Sequence, residues 1–357
     1  MAQRVDRRHY GWMASSAVTV VWAAVILGAD LGGRVLDNWE AAVTMLFGSF
    51  LAGSSPEGGG AVAFPVFTKL LEVPGPVART FGLSIQAVGM TVASISILAS
   101  RRPFHRRAVV VGSVAGIAGF GLTVALFGQP DLVFWPSSVG SPWVKATFSI
   151  VLATTSITML LHLRHGDDDH EPLAWNRRLD WGVAAVAVLG GGLASLTGTG
   201  ANIIVFLFLV AIADVLPKTA LPTVVMIMAV ISVAGVVLFG VLDRQLDVGL
   251  LGDRVVSVGG VATDLDAGKA DLLGLWLAAI PVVAWGAPLG SFAASLIRES
   301  SLARFVALLA AIEVATTFLL VHELRTERWL ILYTIAGLVI TPTALLSARR
   351  HRRRLFT

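Results

Sequence analysis

The sequence predicts an all-α polytopic membrane protein, and three observations predict it. Hydrophobic residues make up 55% of the 357 positions and charged residues only 14%, whereas soluble domains are about a quarter charged. Apolar runs of about 18 residues or more recur along the chain, the length that crosses about 30 Å of hydrocarbon. The arginines gather at the ends of these runs, as the positive-inside rule requires.

Eight of the runs read as full spans: 12–29, 76–100, 108–127, 143–163, 218–241, 271–297, 302–321 and 329–347. The first follows Arg4, Arg7 and Arg8 and so looks like a signal peptide. It is long and no clear cleavage site follows, so it reads as an uncleaved first span. Loops 100–108, 164–178, 297–304 and 348–357 carry most of the arginine. With the N-terminal segment they are placed in the cytoplasm, which puts both termini there and the chain in the cell (inner) membrane. Loops 30–39, 129–142, 242–270 and 322–328 then lie outside.

This bookkeeping leaves two segments that cannot cross once. Span 12–29 runs outward and span 76–100 must return, because it ends at Arg101 and Arg102. Segment 40–73 therefore starts and ends outside. By the same argument segment 181–216 starts and ends inside. Each is about 35 residues and is interrupted by glycine, so each reads as a hairpin of two short helices that enters the membrane and returns.

The two hairpins match at a constant offset of 142. Gly48/Gly190, Leu51/Leu193, Ala52/Ala194, Gly58/Gly200 and Phe64/Phe206 coincide, and the register continues through Glu72/Asp214, Val73/Val215, Ala78/Ala220 and Ile85/Ile227. Three spans follow each hairpin. One copy starts outside and the other inside, so the two are inverted repeats, a recurring plan of secondary transporters. The expected organisation is 1–39, N-terminal segment and first span; 40–163, repeat one; 164–180, linker; 181–321, repeat two; and 322–357, last span and basic tail.

Irregular backbone at membrane depth is tolerated only where protein buries it or a wet cavity borders it. The expected breaks are 54–60, which contains Pro56 and three consecutive glycines, and 196–202. A helix that starts at such a break offers free N–H groups and the positive end of its dipole to an anion. Ser54, Ser55, Thr197, Thr199 and Asn202 add neutral donors, and Gly58, Gly59, Gly60, Gly198 and Gly200 allow close approach. Close helix packing by the same glycines is the competing explanation. Glu57 is an ionisable group at a hairpin tip, where charge is costly and usually functional. It fits a proton-coupling or gating role, exposure to a water-filled vestibule, or pairing with Arg79. Arg79 and Gln86 lie seven residues apart on one face of their span. Glu313, inside span 302–321, is a further candidate for pairing or proton transfer. Lys69, Glu72, Asp214 and Lys218 fall near hairpin ends and read as interfacial anchors.

Several functions are excluded or disfavoured. The chain has no cysteine, hence no disulfide, thiolate metal site or cysteine nucleophile. The break at 54–60 lacks the Gly-Lys-Ser/Thr ending of a nucleotide loop. The net charge of +4 sits at span ends and not in a basic, aromatic-laced patch, so no nucleic acid is expected. All seven histidines fall at span ends or in loops, which argues against an intramembrane hydrolase. The tract His165–His170 reads as a solvated linker in preference to a metal site. No cofactor and no catalytic residue are expected.

GGGAVAFPVF (58–67), PVARTFGLS (76–84), PLGSFAASLI (288–297) and LARFVALLAAI (302–312) together resemble the sulfite exporter TauE/SafE family across residues 40–321. The resemblance implies export of a small sulfur-containing anion such as sulfite, sulfoacetate or a related organosulfonate. It also implies that Gly58, Gly59, Gly60, Gly198, Thr199 and Gly200 border the site. The sequence departs from the family pattern at Ala78–Ser84 and at Asn202, which stands opposite Gly60. A passive anion channel of the same architecture is the alternative function, and a membrane-embedded enzyme a minor one. Proton coupling and homo-oligomer formation are left open.

Overall fold

The computed structural model describes residues 9–71, 73–127, 141–164, 174–242, 257–258, 261–262, 271–321 and 323–356. Glu72, the tract 165–170 and nearly all of loop 242–270 lie outside them, as does the side chain of Glu313. The described chain is helical, apart from the antiparallel pairing of Ser257–Val258 with Val261–Ala262. The helices are α1 (His9–Gly28), α2 (Gly32–Asp37), α3 (Trp39–Ser54), α4 (Gly60–Pro65), α5 (Gly75–Ala99), α6 (Arg106–Phe127) and α7 (Ser141–Arg164). They continue as α8 (Arg177–Thr197), α9 (Ala201–Ala211), α10 (Pro217–Gly235), α11 (Leu272–Leu296), α12 (Glu299–Leu320), α13 (Glu323–Thr326) and α14 (Arg328–Phe356). Both α4 and α10 run on as π-helix, over Val66–Leu70 and Val236–Leu242.

Seven helices are long and apolar enough to cross a bilayer among the described residues: α1, α5, α6, α8, α10 with its π-helical end, α11 and α14. Helices α7 and α12 span 24 and 22 residues. Large apolar side chains such as Leu27, Val114 and Ile340 point outward unpacked, as a lipid-facing surface requires. The chain is a polytopic all-α membrane protein.

One expectation needs correction. Segment 181–216 reads in sequence as two short helices, but its first arm, α8, has 21 residues, about 31 Å at 1.5 Å per residue. The run Gly190–Gly192 does not break it. Glycine inside a helix costs only about 1 kcal/mol relative to alanine, and here it lets helices touch. A Cβ at Gly191 would strike the carbonyl of Gly116 on α6, and one at Gly119 would strike Val188.

The same close approach joins α3 to α11. There Gly53, Gly286 and Gly290 leave no room for a Cβ against Ala287, Ser49 and Phe50 respectively. So α3 packs along α11, α8 along α6, and α5 against both α10 and α11. Two apolar cores result. One fills the space among α5, α6, α8, α9 and α10; the other lies among α3, α4, α5 and α11.

Helix starts follow local chemistry. Pro76 and Pro217 stand in the first turns of α5 and α10, where a missing N–H costs nothing. Asp271 caps α11 by accepting from Gly274 N at 2.9 Å, and also grips Arg34 through both oxygens. Asn176 caps α8 through Leu179 N at 3.0 Å. His105 Nδ1 accepts from Ala108 N at 3.2 Å at the start of α6, while its ring stacks on Trp175. Burial draws the His105 pKa below its usual value, against the opposing pull of Asp180.

Three backbone bonds recur at an offset of 142. Leu71 N donates to Val66 O as Ala213 N does to Phe208 O, both at 3.0 Å. Val73 N donates to Phe67 O as Val215 N does to Leu209 O, both at 2.8 Å. Ala78 N donates to Pro74 O as Ala220 N does to Leu216 O, both at 2.9 Å.

Candidate functional site: two helix breaks on one glutamine

Helix α3 ends at Ser54, and α4 begins at Gly60. Helix α8 ends at Thr197, and α9 begins at Ala201. Every residue from 54 to 60 and from 197 to 202 is buried. The backbone turns through positive φ at Gly58 (+74°), Gly198 (+79°) and Gly200 (+133°). Side chains disfavour that region by roughly 1–2 kcal/mol. Gly198 is the left-handed cap of α8, its N–H reaching Ala194 O at 2.9 Å.

The two breaks meet. The Thr199 hydroxyl lies 3.3 Å from the carbonyl of Glu57, and Glu57 and Thr199 are 142 residues apart. Gln86 of α5 stands beside the contact. Its Nε2 donates to Gly198 O at 2.6 Å and to Gly82 O at 3.0 Å, and its Oε1 is 3.5 Å from the Thr199 hydroxyl. Gly60 packs so closely on Gln86 Nε2 and the Thr199 side chain that a Cβ there would come within 2.7 and 2.8 Å. The Thr199 hydroxyl also faces Asn202 Oδ1 at 3.3 Å. It has one proton and three acceptors around it, so it serves one of them at a time.

The predicted donors divide into two groups. Ser55 is spent on Leu51 O at 3.1 Å, and Thr197 on Leu193 O and Thr199 O at 3.1 and 2.6 Å. These hydroxyls hold the breaks in shape. The Asn202 carbonyl oxygen accepts from Gly200 N at 3.1 Å, but its Nδ2 is buried without a hydrogen-bond partner, and so is the Ser54 hydroxyl. A buried donor left unmade costs about 1–3 kcal/mol. Asn202 Nδ2 points toward Gly58, where a Cβ would come within 2.7 Å of it.

Both ionisable candidates are buried: Glu57 is 3% exposed and Arg79 is inaccessible. Glu57 borders a cavity of about 220 Å³ with Val62, Pro65, Lys69, Leu152 and Thr316. Arg79 lies in the first turns of α5, bonds Thr80 Oγ1 at 3.3 Å, and places its guanidinium carbon 4.0 Å from the centre of the Phe239 ring. Its backbone carbonyl meets Gly198. Phe239 was not foreseen, since an aromatic residue in an apolar span carries no distinguishing signal.

Two of the expected anchors behave differently. Asp214, in the turn between α9 and α10, is buried, with φ of +56°. Lys69 reaches inward and donates to Thr317 at 2.7 Å. Among the described residues no cluster of three metal-ligating side chains occurs.

Comparison with known proteins follows the same boundaries. No curated protein and no solved structure matches the chain. The model of one family, described as sulfite exporter TauE/SafE, matches residues 41–316, which include both breaks, Arg79 and Gln86. The chain belongs to the sulfite exporter TauE/SafE family, a family of membrane transporters for sulfur-containing anions.

Proposed function

We propose that the protein is a secondary transporter that exports a small sulfur-containing anion, such as sulfite, sulfoacetate or a related organosulfonate, bound where the two breaks meet. The observation that carries this reading is the pair of buried, unpartnered donors, Ser54 Oγ and Asn202 Nδ2. Ser54 closes α3 and Asn202 stands in the first turn of α9, and Gly198 of the second break lies against the backbone carbonyl of inaccessible Arg79. An oxyanion would satisfy both donors in a dry site, where such bonds are strongest. The helix dipoles of α4 and α9 favour the same charge.

The transporter consists of two inverted copies in the inner membrane, with both termini in the cytoplasm. The recurring backbone bonds at offset 142 support the repetition. So does the exchange of partners, since the first helix of each copy packs on the other copy. The bond from Thr199 to Glu57 joins equivalent positions, as expected of residues on the axis that relates the copies. Glu57, bordering a cavity beside the site, carries the coupling proton: a carboxylate there repels the anion and a carboxylic acid does not.

The test is flux in proteoliposomes across a panel of sulfite, sulfate, thiosulfate, sulfoacetate and carboxylates. Sulfite or an organosulfonate is expected to move with saturable kinetics accelerated by a pH gradient. Glu57→Gln is expected to transport at a rate independent of that gradient. Flux that neither saturates nor responds to the gradient would show a channel, and no flux of any sulfur anion would end the proposal.

A further inference from the structure

At the end of α5 opposite Arg79 lies a second cavity, of about 150 Å³. That is room for a few waters or one small anion. The ends of α3 and α5, the start of α10 and the last turns of α11 enclose it, through Gly53, Ile97, Leu221, Pro222, Ser291 and Ser295. Two cations border it, Arg102 and Lys218. Lys218 is exposed, while Arg102 is partly buried and holds the Ser291 carbonyl and hydroxyl through Nη1. Burial lowers the Arg102 pKa, the mark of a cation short of solvent. The floor of the cavity is Gly53, one residue before the unpartnered Ser54.

The equivalent place in the other half is filled. At the offset of 142, Ile97 corresponds to Phe239 and Leu221 to Arg79. Where the first pair borders open space, the second is in contact, with the guanidinium 4.0 Å from the ring centre. Phe120 packs on the same ring at 5.2 Å. One end of the α5–α10 pair is therefore open and the other plugged.

We infer that this cavity is the cytoplasmic recruiting site for the exported anion, in which Arg102 and Lys218 concentrate small oxyanions and deliver them to the break at Ser54. The inference rests on the transport reading and adds a second anion subsite to it. Clefts lined by one sign of charge raise local counter-ion concentration and on-rates, and exposed charge acts over about 10 Å at moderate salt. Lys218 therefore acts on capture, and its loss falls on KM more than on the maximal rate.

The cysteine-free chain makes the test direct. Ser295→Cys places a thiol in the cavity. It is expected to react severalfold faster with an anionic than with a cationic methanethiosulfonate reagent, and only from the cytoplasmic face. Adding Lys218→Gln, or separately Arg102→Gln, is expected to reduce that ratio at least twofold, and high salt to erase it. In inside-out vesicles Lys218→Gln is expected to raise the KM for the anion severalfold, and Lys218→Arg to restore it. A reagent ratio that ignores both cations overturns the inference, and so does a changed ratio with unchanged KM. Absence of anion transport by the parent protein would instead remove the transport reading, whatever the reagent ratio.

Discussion

Gly198→Ala is expected to reduce anion transport by tenfold or more. Two costs combine at this position. An alanine must adopt φ near +79°, which disfavours a side chain by roughly 1–2 kcal/mol. Its Cβ would also collide with the backbone carbonyl of Arg79, which is fixed within α5 and cannot rotate away. Relief requires the break to move off α5, and that breaks the 2.6 Å bond from Gln86 to Gly198 O. A loss of about 1.4 kcal/mol is already tenfold in an equilibrium. Flux per folded protein, measured with a gel-filtration check, reads the effect. By contrast Gly28, where a Cβ meets nothing, is expected to accept alanine with little change. Near-normal transport by Gly198→Ala would mean that the second break does not shape the site.

Arg79→Met is expected to lower transport of a sulfur anion at least tenfold at matched expression. Methionine keeps much of the volume over Phe239 but removes the charge. A cation at this depth is expensive and is usually retained for function. Removing the arginine takes away the buried positive charge that offsets the cost of bringing an anion to this depth. Arg79→Lys is expected to recover part of the activity, because lysine restores the charge but not the planar stacking geometry. If Arg79→Met transported at the parent rate, the arginine would be a packing element of the external plug alone.

Much of the fold was legible because lipid imposes simple rules. The run 76–100 is α5, 108–127 is α6, and 271–297 is α11, each within two residues at either end, because apolar length and arginine position leave little freedom. The breaks were legible too, since Pro56 followed by Gly58–Gly60, and Gly198 with Gly200, combine the residues that most readily interrupt a helix. The length of α8 was not. Only the position of α6 shows that Gly190–Gly192 serve helix contact.

Within the site, the meeting of Gln86 with Gly198 and of Thr199 with Glu57 matches the residues singled out from sequence. Their division of labour does not follow from sequence, because a serine or threonine reads the same whether its hydroxyl is spent on its own helix, as at Ser55, or left open, as at Ser54. Phe239 and Arg102 were missed for related reasons. A phenylalanine in a span and an arginine at its end are what any membrane helix shows. Only the offset of 142, applied to a structure, sets Phe239 against Ile97.

The central proposal is that two copies are inverted about an axis in the membrane plane, with equivalent breaks facing each other on it. Sided labelling tests it most directly. Pro74 and Leu216 are equivalent positions just before α5 and α10, and both are at least partly exposed. Pro74→Cys and Leu216→Cys, each alone in the cysteine-free chain, should react with a membrane-impermeant thiol reagent from opposite sides. The expected result is labelling of position 74 from outside intact cells and of position 216 only after the cytoplasmic face is opened. Labelling of both from the same side would contradict the inverted repeat, and with it the shared anion site.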